Sequence, residues 1–135
     1  MMYRVVKVIS FCYGHRLMNY DGKCKYLHGH NGRAEIHLEA EKLDQRGMVA
    51  DFTDIKQIIG QFIDDQLDHK ILLCKNDSMA KVLKELKEPF FLMEENPTAE
   101  NIAKLIFDFA RGQKLPVKSV KLWETDTSFA IYEGS

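Results

Sequence analysis

The 135-residue chain is 45% hydrophobic and 29% charged, and 19 basic against 20 acidic side chains leave a formal net charge of −1. This composition predicts one globular domain over residues 1–135, without the basic excess that attracts nucleic acid. No apolar run approaches the ~18 residues of a membrane span, the N-terminus is too charged for a secretion signal, and the odd count of 3 cysteines implies no disulfide framework, so we expect a cytoplasmic protein without membrane contact.

The first half of the chain changes from strand-like to helical patterning. Residues 3–12 are rich in Val, Ile and aromatic side chains, which predicts a strand with apolar residues on both faces. Residues 34–40 alternate apolar and polar side chains, which predicts a second strand with one wet face. Apolar residues from 52 to 67 then follow helical spacing, behind a candidate N-cap at Asp51 or Thr53.

The second half predicts two further helices and a hairpin. A weaker helical pattern spans residues 79–86, and a stronger one begins at Pro97-Thr98 and stops at Gly112. Residues 117–124 and 129–132 are typical of a hairpin that turns around Asp126. Strands at both ends of the chain with helices between them predict an α+β fold, in which helices cover one face of a sheet.

Three of the five histidines lie close together in the sequence, at His15, His28 and His30. His28 and His30 share one side of an extended segment, and a hairpin would bring His15 beside them. Three neutral imidazoles without a fourth protein ligand are typical of a catalytic zinc site whose open position takes water or substrate. The alternative is three unrelated polar loop residues. His37 lies on the polar face of the second strand and is interpreted as a surface residue.

Cys24 is the candidate reactive thiol, because it lies between two lysines and four residues before His28. Neighbouring cations and a nearby metal lower the pKa of a thiol, and the resulting thiolate is a base or a nucleophile. The alternatives are an ordinary loop cysteine and a fourth zinc ligand. Cys12, inside the first strand, and Cys74, after an apolar run, are interpreted as packing residues.

Asp68 and His69 directly follow the long apolar helix. An Asp beside a His fixes the imidazole tautomer and raises its basicity, which suits proton transfer near neutral pH. The alternative is that His69 only satisfies the C-terminal end of the helix.

Three further polar residues complete the candidate set. Glu124 has the strand phase of Val120 and Leu122, so its carboxylate falls on an apolar face and needs a partner. A heterocycle with adjacent N–H and NH2 donors would pair with it at two points. Glu100 and Thr98 lie at the start of the last helix and are candidates for ligand contact. The alternative role is stabilisation of the helix dipole for Glu100 and N-capping for Thr98.

Six motifs in order along nearly the whole chain resemble the 6-pyruvoyltetrahydropterin synthase / 6-carboxytetrahydropterin synthase family. They are Phe11-x-x-x-His15, Cys24-x-x-x-His28-Gly29-His30, Asp51-Phe52, Leu67-Asp68-His69, Pro97-Thr98-x-Glu100-Asn101 and Glu124-Thr125. The three-residue gap between Cys24 and His28 is similar to that of the bacterial 6-carboxytetrahydropterin synthases of queuosine biosynthesis. Cys12-Tyr13-Gly14 depart from the small residues that many members carry before the first ligand, which alters the pocket wall and leaves His15 intact.

The resemblance implies a tunnelling fold, with a four-stranded antiparallel sheet and helices on one face. Trimers would close a twelve-stranded barrel, and two trimers would stack as a homohexamer. The resemblance also implies functional residues, with zinc ligands at His15, His28 and His30, catalytic residues at Cys24, Asp68 and His69, and pterin contacts at Glu124, Thr98 and Glu100.

The implied reaction converts 7,8-dihydroneopterin triphosphate into 6-carboxy-5,6,7,8-tetrahydropterin, acetaldehyde and triphosphate, with zinc as a Lewis acid. Cys24 would move protons on one face of the substrate, and His69 would be its partner. Lys23, Lys25 and Arg16 are triphosphate candidates by charge alone. The alternatives are triphosphate elimination to a 6-pyruvoyl product and, more remotely, a non-enzymatic zinc module with Cys24 as the fourth ligand.

Overall fold

The structure, a computed structural model, describes residues 1–134. Its strands are β1 (Tyr3–His15), β2 (His28–Ala40), β3 (Lys70–Cys74), β4 (Phe90–Met93), β5 (Val117–Thr125) and β6 (Ser128–Glu133). Its helices are α1 (Phe52–Ile55), which continues through a π turn (Lys56–Gly60) into α2 (Gln61–Gln66), then α3 (Met79–Leu86) and α4 (Ala99–Gly112), with a 3-10 turn at Lys23–Lys25. None of these helices is long and apolar enough to cross a membrane.

The six strands form one mixed sheet in the order β4-β3-β1-β2-β5-β6. The predicted number of four strands is wrong. The four expected strands form the antiparallel part, and β3 and β4 add a parallel edge beside β1. Both added strands are continuous apolar runs of five and four residues, and periodicity cannot separate such short runs from buried helix segments.

The core lies between one face of the sheet and the helices, as the α+β prediction expected. Alternate side chains of β1, β2 and β5 contact the apolar stripes of the π turn, α2 and α4, among them Phe11, Ile36, Leu38, Val120, Leu122, Ile59, Ile63, Ile102 and Ile106. The opposite face of β1 leaves Val6 and Val8 exposed. The apolar character of both faces of β1 is therefore not explained by burial within the chain.

Two N-caps fix where the main helices begin. Asp51 accepts a 2.8 Å hydrogen bond from the Thr53 N–H, which decides between the two predicted caps of α1. Thr98 accepts a 3.1 Å bond from the Asn101 N–H at the start of α4. Each cap satisfies a backbone donor that the first helical turn leaves free.

Candidate metal centre and active site

The three histidines predicted as ligands converge where β1 and β2 meet. The register pairs His15 with His28 and Tyr13 with His30, and directly opposite residues of an antiparallel pair share a face. His15 Nε2 lies 3.0 Å from His28 Nε2 and 3.1 Å from His30 Nε2. The hairpin predicted from the sequence therefore brings three ring nitrogens to one point.

The protonation of these rings follows from their other nitrogen atoms. His15 Nδ1 donates a 2.7 Å hydrogen bond to the Pro97 carbonyl, and His28 Nδ1 donates one of 2.7 Å to the Tyr26 carbonyl. Because a carbonyl only accepts, each Nδ1 carries the proton and each Nε2 presents a lone pair. The two lone pairs face each other at 3.0 Å, so they attract a cation and cannot bond one another.

Burial favours the neutral form of these rings. It lowers the pKa of His15 and of His30 below the ordinary value. Neutral imidazoles are common ligands of zinc and related metals. Zinc–nitrogen bonds of about 2.0–2.1 Å imply nitrogen–nitrogen separations of about 3.4 Å in a tetrahedral site. The observed separations of 3.0 and 3.1 Å fit such an ion after small ring movements.

A cavity of about 660 Å3 opens beside His15 and is lined by Cys24, Thr98, Glu100 and Glu124 among others. Its volume suits a small organic ligand. Glu124 falls where the pairing of β5 with β6 shifts register between Trp123 and Thr125, and such a bulge re-aims a side chain. Its carboxylate lies 3.6 Å from His30 Nε2 and stays 25% exposed. The cavity thus joins an acceptor, a thiol and a histidine of the candidate metal centre.

Cys24 is half-buried in the 3-10 turn between β1 and β2. Its carbonyl accepts a 2.9 Å bond from the Leu17 N–H, which holds the turn against the end of β1. Among residues 1–134, the donor atoms grouped within 4.8 Å of one another at this centre are those of the three histidines alone. This geometry counts against Cys24 as a fourth metal ligand.

Asp68 and His69 form a hydrogen-bonded pair between α2 and β3. His69 Nδ1 donates to Asp68 Oδ2 at 2.8 Å, and the other carboxylate oxygen accepts the Cys12 N–H at 3.0 Å. Burial raises the pKa of Asp68, but the bonds from Cys12 and His69 outweigh it and hold that pKa below its ordinary value. The pair is therefore a carboxylate that orients an imidazole.

Cys24 and His69 border different cavities. His69 lies on a second cavity of about 490 Å3, shared with Cys12, His28 and His30. Its side chain is 78% exposed. The predicted proton-transfer partners thus lie on either side of the histidine cluster.

Three supports of the site were not found by sequence reasoning. The Pro97 carbonyl orients His15. The Asn96 side chain makes two hydrogen bonds to the backbone of Met18. It accepts from the N–H at 2.9 Å and donates to the carbonyl at 2.7 Å. Arg16, a candidate for binding triphosphate because of its charge, forms an ion pair with buried Asp77. These contacts span 61 to 82 residues, and no local pattern signals them.

The fold and the imidazole cluster define a class of protein, the tunnelling-fold enzymes. Comparison of the sequence with known families identifies the family within that class. Residues 4–135 match the family model described as 6-pyruvoyl tetrahydropterin synthase. The chain therefore belongs to this family of pterin synthases, and the resemblance found in the sequence is confirmed.

Several similar proteins match this chain over nearly its whole length. The 6-carboxy-5,6,7,8-tetrahydropterin synthase of Haemophilus influenzae is 33% identical over 98% of this chain and 99% of its own. That of Rickettsia felis is 36% identical over 95% and 98%. An uncharacterized protein of Wolinella succinogenes, WS1659, superposes with a TM-score of 0.84 at 28% identity over 100% and 99% of the two chains. The 6-pyruvoyl tetrahydropterin synthase of Caenorhabditis elegans shares the fold, with a TM-score of 0.74 at 24% identity over 100% and 97%.

Proposed function

We propose that the protein is a zinc-dependent 6-carboxy-5,6,7,8-tetrahydropterin synthase of queuosine biosynthesis. It would convert 7,8-dihydroneopterin triphosphate into 6-carboxytetrahydropterin, acetaldehyde and triphosphate. The observation that carries the proposal is the convergence of three imidazole nitrogens, 3.0 and 3.1 Å apart, beside a cavity that also holds a thiol and a carboxylate. The names of the Haemophilus and Rickettsia relatives support the choice of product.

His15, His28 and His30 would hold the zinc ion. Bound there, zinc supplies Lewis-acid polarisation of the C–O bonds in the substrate side chain. The carbonyls of Pro97 and Tyr26 orient two of the rings, and this kind of support fixes tautomer and direction before a metal arrives.

The cavity residues would bind the pterin and move its protons. Glu124 accepts from the ring N–H and amino group, because an ionised carboxylate offers two acceptor oxygens. Thr98 and Glu100, at the start of α4, border the same cavity and would contact the ring. Cys24 exchanges a proton with the substrate side chain from the adjoining wall.

A second copy of the chain would supply Asp68 and His69. Within one chain His69 borders a different cavity from Cys24, and its side chain is 78% exposed, so a neighbouring copy could contact it. Exposed Val6 and Val8 on β1 offer apolar surface for the contact between copies. This arrangement agrees with the dimer of trimers that the family resemblance implies.

Product analysis tests the proposal. Purified protein incubated with 7,8-dihydroneopterin triphosphate should release 6-carboxytetrahydropterin and acetaldehyde, both identified by mass spectrometry. The matched control is Cys24→Ala, which should release neither. A 6-pyruvoyl product without acetaldehyde would replace the proposal with triphosphate elimination. Zinc binding without any turnover of this substrate would favour the non-enzymatic module.

A further inference from the structure

A second cluster of metal-ligand atoms lies outside the three-histidine centre. The Cys12 thiol, an Asp68 carboxylate oxygen and a His69 ring nitrogen all fall within 4.8 Å of one another. Cys12 is a free, half-buried cysteine. Its side chain alternates with those of Tyr13 and His15 along β1, so it leaves the sheet on the other face. The cluster is thus separate from the proposed zinc centre.

The backbone of Cys12 fixes the Asp68 carboxylate and the backbone of His69 beside it. Its N–H donates to Asp68 Oδ1 at 3.0 Å, and its carbonyl accepts the His69 N–H at 2.7 Å. His69 adopts a left-handed backbone conformation, with φ of 59°, which an ordinary residue keeps only when its surroundings impose it. The fold therefore sets the positions of the Asp68 carboxylate and of the His69 backbone relative to Cys12.

The donor set matches the chemistry of a borderline divalent cation. Sulfur, imidazole nitrogen and carboxylate oxygen are the three ligand types of zinc, whose bonds imply ligand–ligand distances of about 3.3–3.8 Å. The three donor atoms lie within 4.8 Å of one another, so they must draw together to hold an ion. A thiolate and a carboxylate together balance a double positive charge.

We propose that Cys12, Asp68 and His69 form a second, exchangeable site for Zn2+ or a similar thiophilic cation. Binding releases the thiol proton of Cys12 to solvent, as thiolate coordination requires. The site is weaker than the three-histidine centre, because its ligands must first close together and Lys70, a cation, borders the same cavity. With three protein ligands, its remaining position is open to water.

Occupancy of this site inhibits the enzyme. A metal bound to His69 takes the ring that would otherwise exchange protons with substrate, and a metal bound to Asp68 removes the carboxylate that orients it. This consequence rests on the proposed function, whereas the binding of the cation does not. Excess zinc should therefore lower turnover in the wild type and have little effect in Cys12→Ser.

Cobalt tests the binding directly in the zinc-loaded protein. Added Co2+ should produce a sulfur-to-cobalt charge-transfer band in the near ultraviolet, with about one equivalent per chain at saturation. Cobalt that exchanges into the three-histidine centre gives no such band, because that centre has no sulfur ligand. Cys12→Ser should abolish the band, and Cys24→Ser should retain it.

The outcomes separate the two proposals. Absence of the band in the wild type, or its loss in Cys24→Ser with retention in Cys12→Ser, would overturn the second site whether or not the protein is a synthase. Asp68→Asn provides a further variant if Cys12→Ser does not fold, and its band should saturate only at higher cobalt concentration. A band together with a failure to turn over dihydroneopterin triphosphate would leave the site standing and remove the proposed function.

Discussion

Pro97 and His15 are 82 residues apart and are joined by a 2.7 Å hydrogen bond from the imidazole Nδ1 to the backbone carbonyl. Because Thr98 caps α4 through its neighbouring side chain, the start of this helix and the orientation of a candidate ligand depend on the same short segment. A change that moves the cap also moves the acceptor that fixes the tautomer of His15.

The first prediction concerns metal content. His28→Ala should lose most of the bound zinc, because two imidazoles hold the ion far less tightly than three. Metal analysis of the purified protein measures the loss. His37→Ala is the matched control on the same strand, since His37 pairs with Glu35 instead, and it should keep its zinc. Full zinc occupancy in His28→Ala would remove the three-histidine model.

The second prediction concerns the contribution of neighbouring copies. Cys24→Ala and His69→Ala should each lower kcat by about 10²–10⁴, because each removes a proton-transfer group, and both should keep zinc. Mixed after dissociation and reassociation, the two variants should recover up to about a quarter of wild-type activity, since some sites then receive Cys24 from one chain and His69 from another.

Activity recovered on mixing would show that the pair acts between chains. No recovery, with mixed oligomers demonstrated by a tag, would mean that Cys24 and His69 act within one chain across the metal centre. Cys74→Ala is the control, because the Cys74 thiol lies in neither cavity and donates to the Glu94 carbonyl at 3.8 Å, and this variant should be active alone.

The third prediction concerns recognition of the pterin. Glu124→Gln replaces one acceptor oxygen with a donor, which opposes the ring donors, and should weaken binding by about 2–3 kcal/mol. The loss lies at the lower end of the range for charged pairs, because the Glu124 side chain is 25% exposed. Calorimetry with a pterin ligand measures the change. Glu39→Gln, which removes only a surface ion pair with Arg4, should bind normally. Unchanged affinity in Glu124→Gln would rule out this anchor.

The fourth prediction concerns stability in acid. The hydrogen bond from Arg16 lowers the pKa of Asp77 below its ordinary value. The stabilisation is therefore present above the unfolded pKa of about 3.9, and it is lost as the pH falls through the folded pKa. Asp77→Asn should cost about 1–3 kcal/mol at pH 7, because the side chain is only 1% exposed.

Denaturant unfolding across pH measures both effects. The wild type should lose its advantage over Asp77→Asn as the solution becomes more acidic. Asp108→Asn is the control, since it breaks an exposed pair with Lys104, and exposed pairs contribute little to stability. Parallel pH profiles for wild type and Asp77→Asn would contradict the assignment.

The sequence predicted those elements whose side chains follow a recognisable strand or helix period. Alternation identified β2, helical spacing identified α4, and the pairing of the first two strands followed from their order along the chain. The convergence of His15 and His28 is a direct result of that register. The parallel strands β3 and β4 were missed because each is too short for a period to be recognised.

The supporting contacts could not be predicted, because they join residues that no periodic pattern relates. Arg16 and Asp77 are 61 residues apart, and Met18 and Asn96 are 78 apart. The interpretation of Cys12 as packing also overlooked its neighbours, since the turn at Asp68 reaches it only in the folded chain. Charge and residue type indicate what a side chain can do, and the tertiary fold decides which partner it meets.

The placement of Cys24 and His69 on different cavities has a consequence for how the rate responds to concentration. If each working site is built from two chains, a dissociated chain holds only half of a site and is inactive. The specific activity then falls when the protein is diluted below the dissociation constant of the oligomer. The total rate then rises faster than linearly with the amount of protein in that range. Expression level would thus act as a threshold control on the flux through the enzyme.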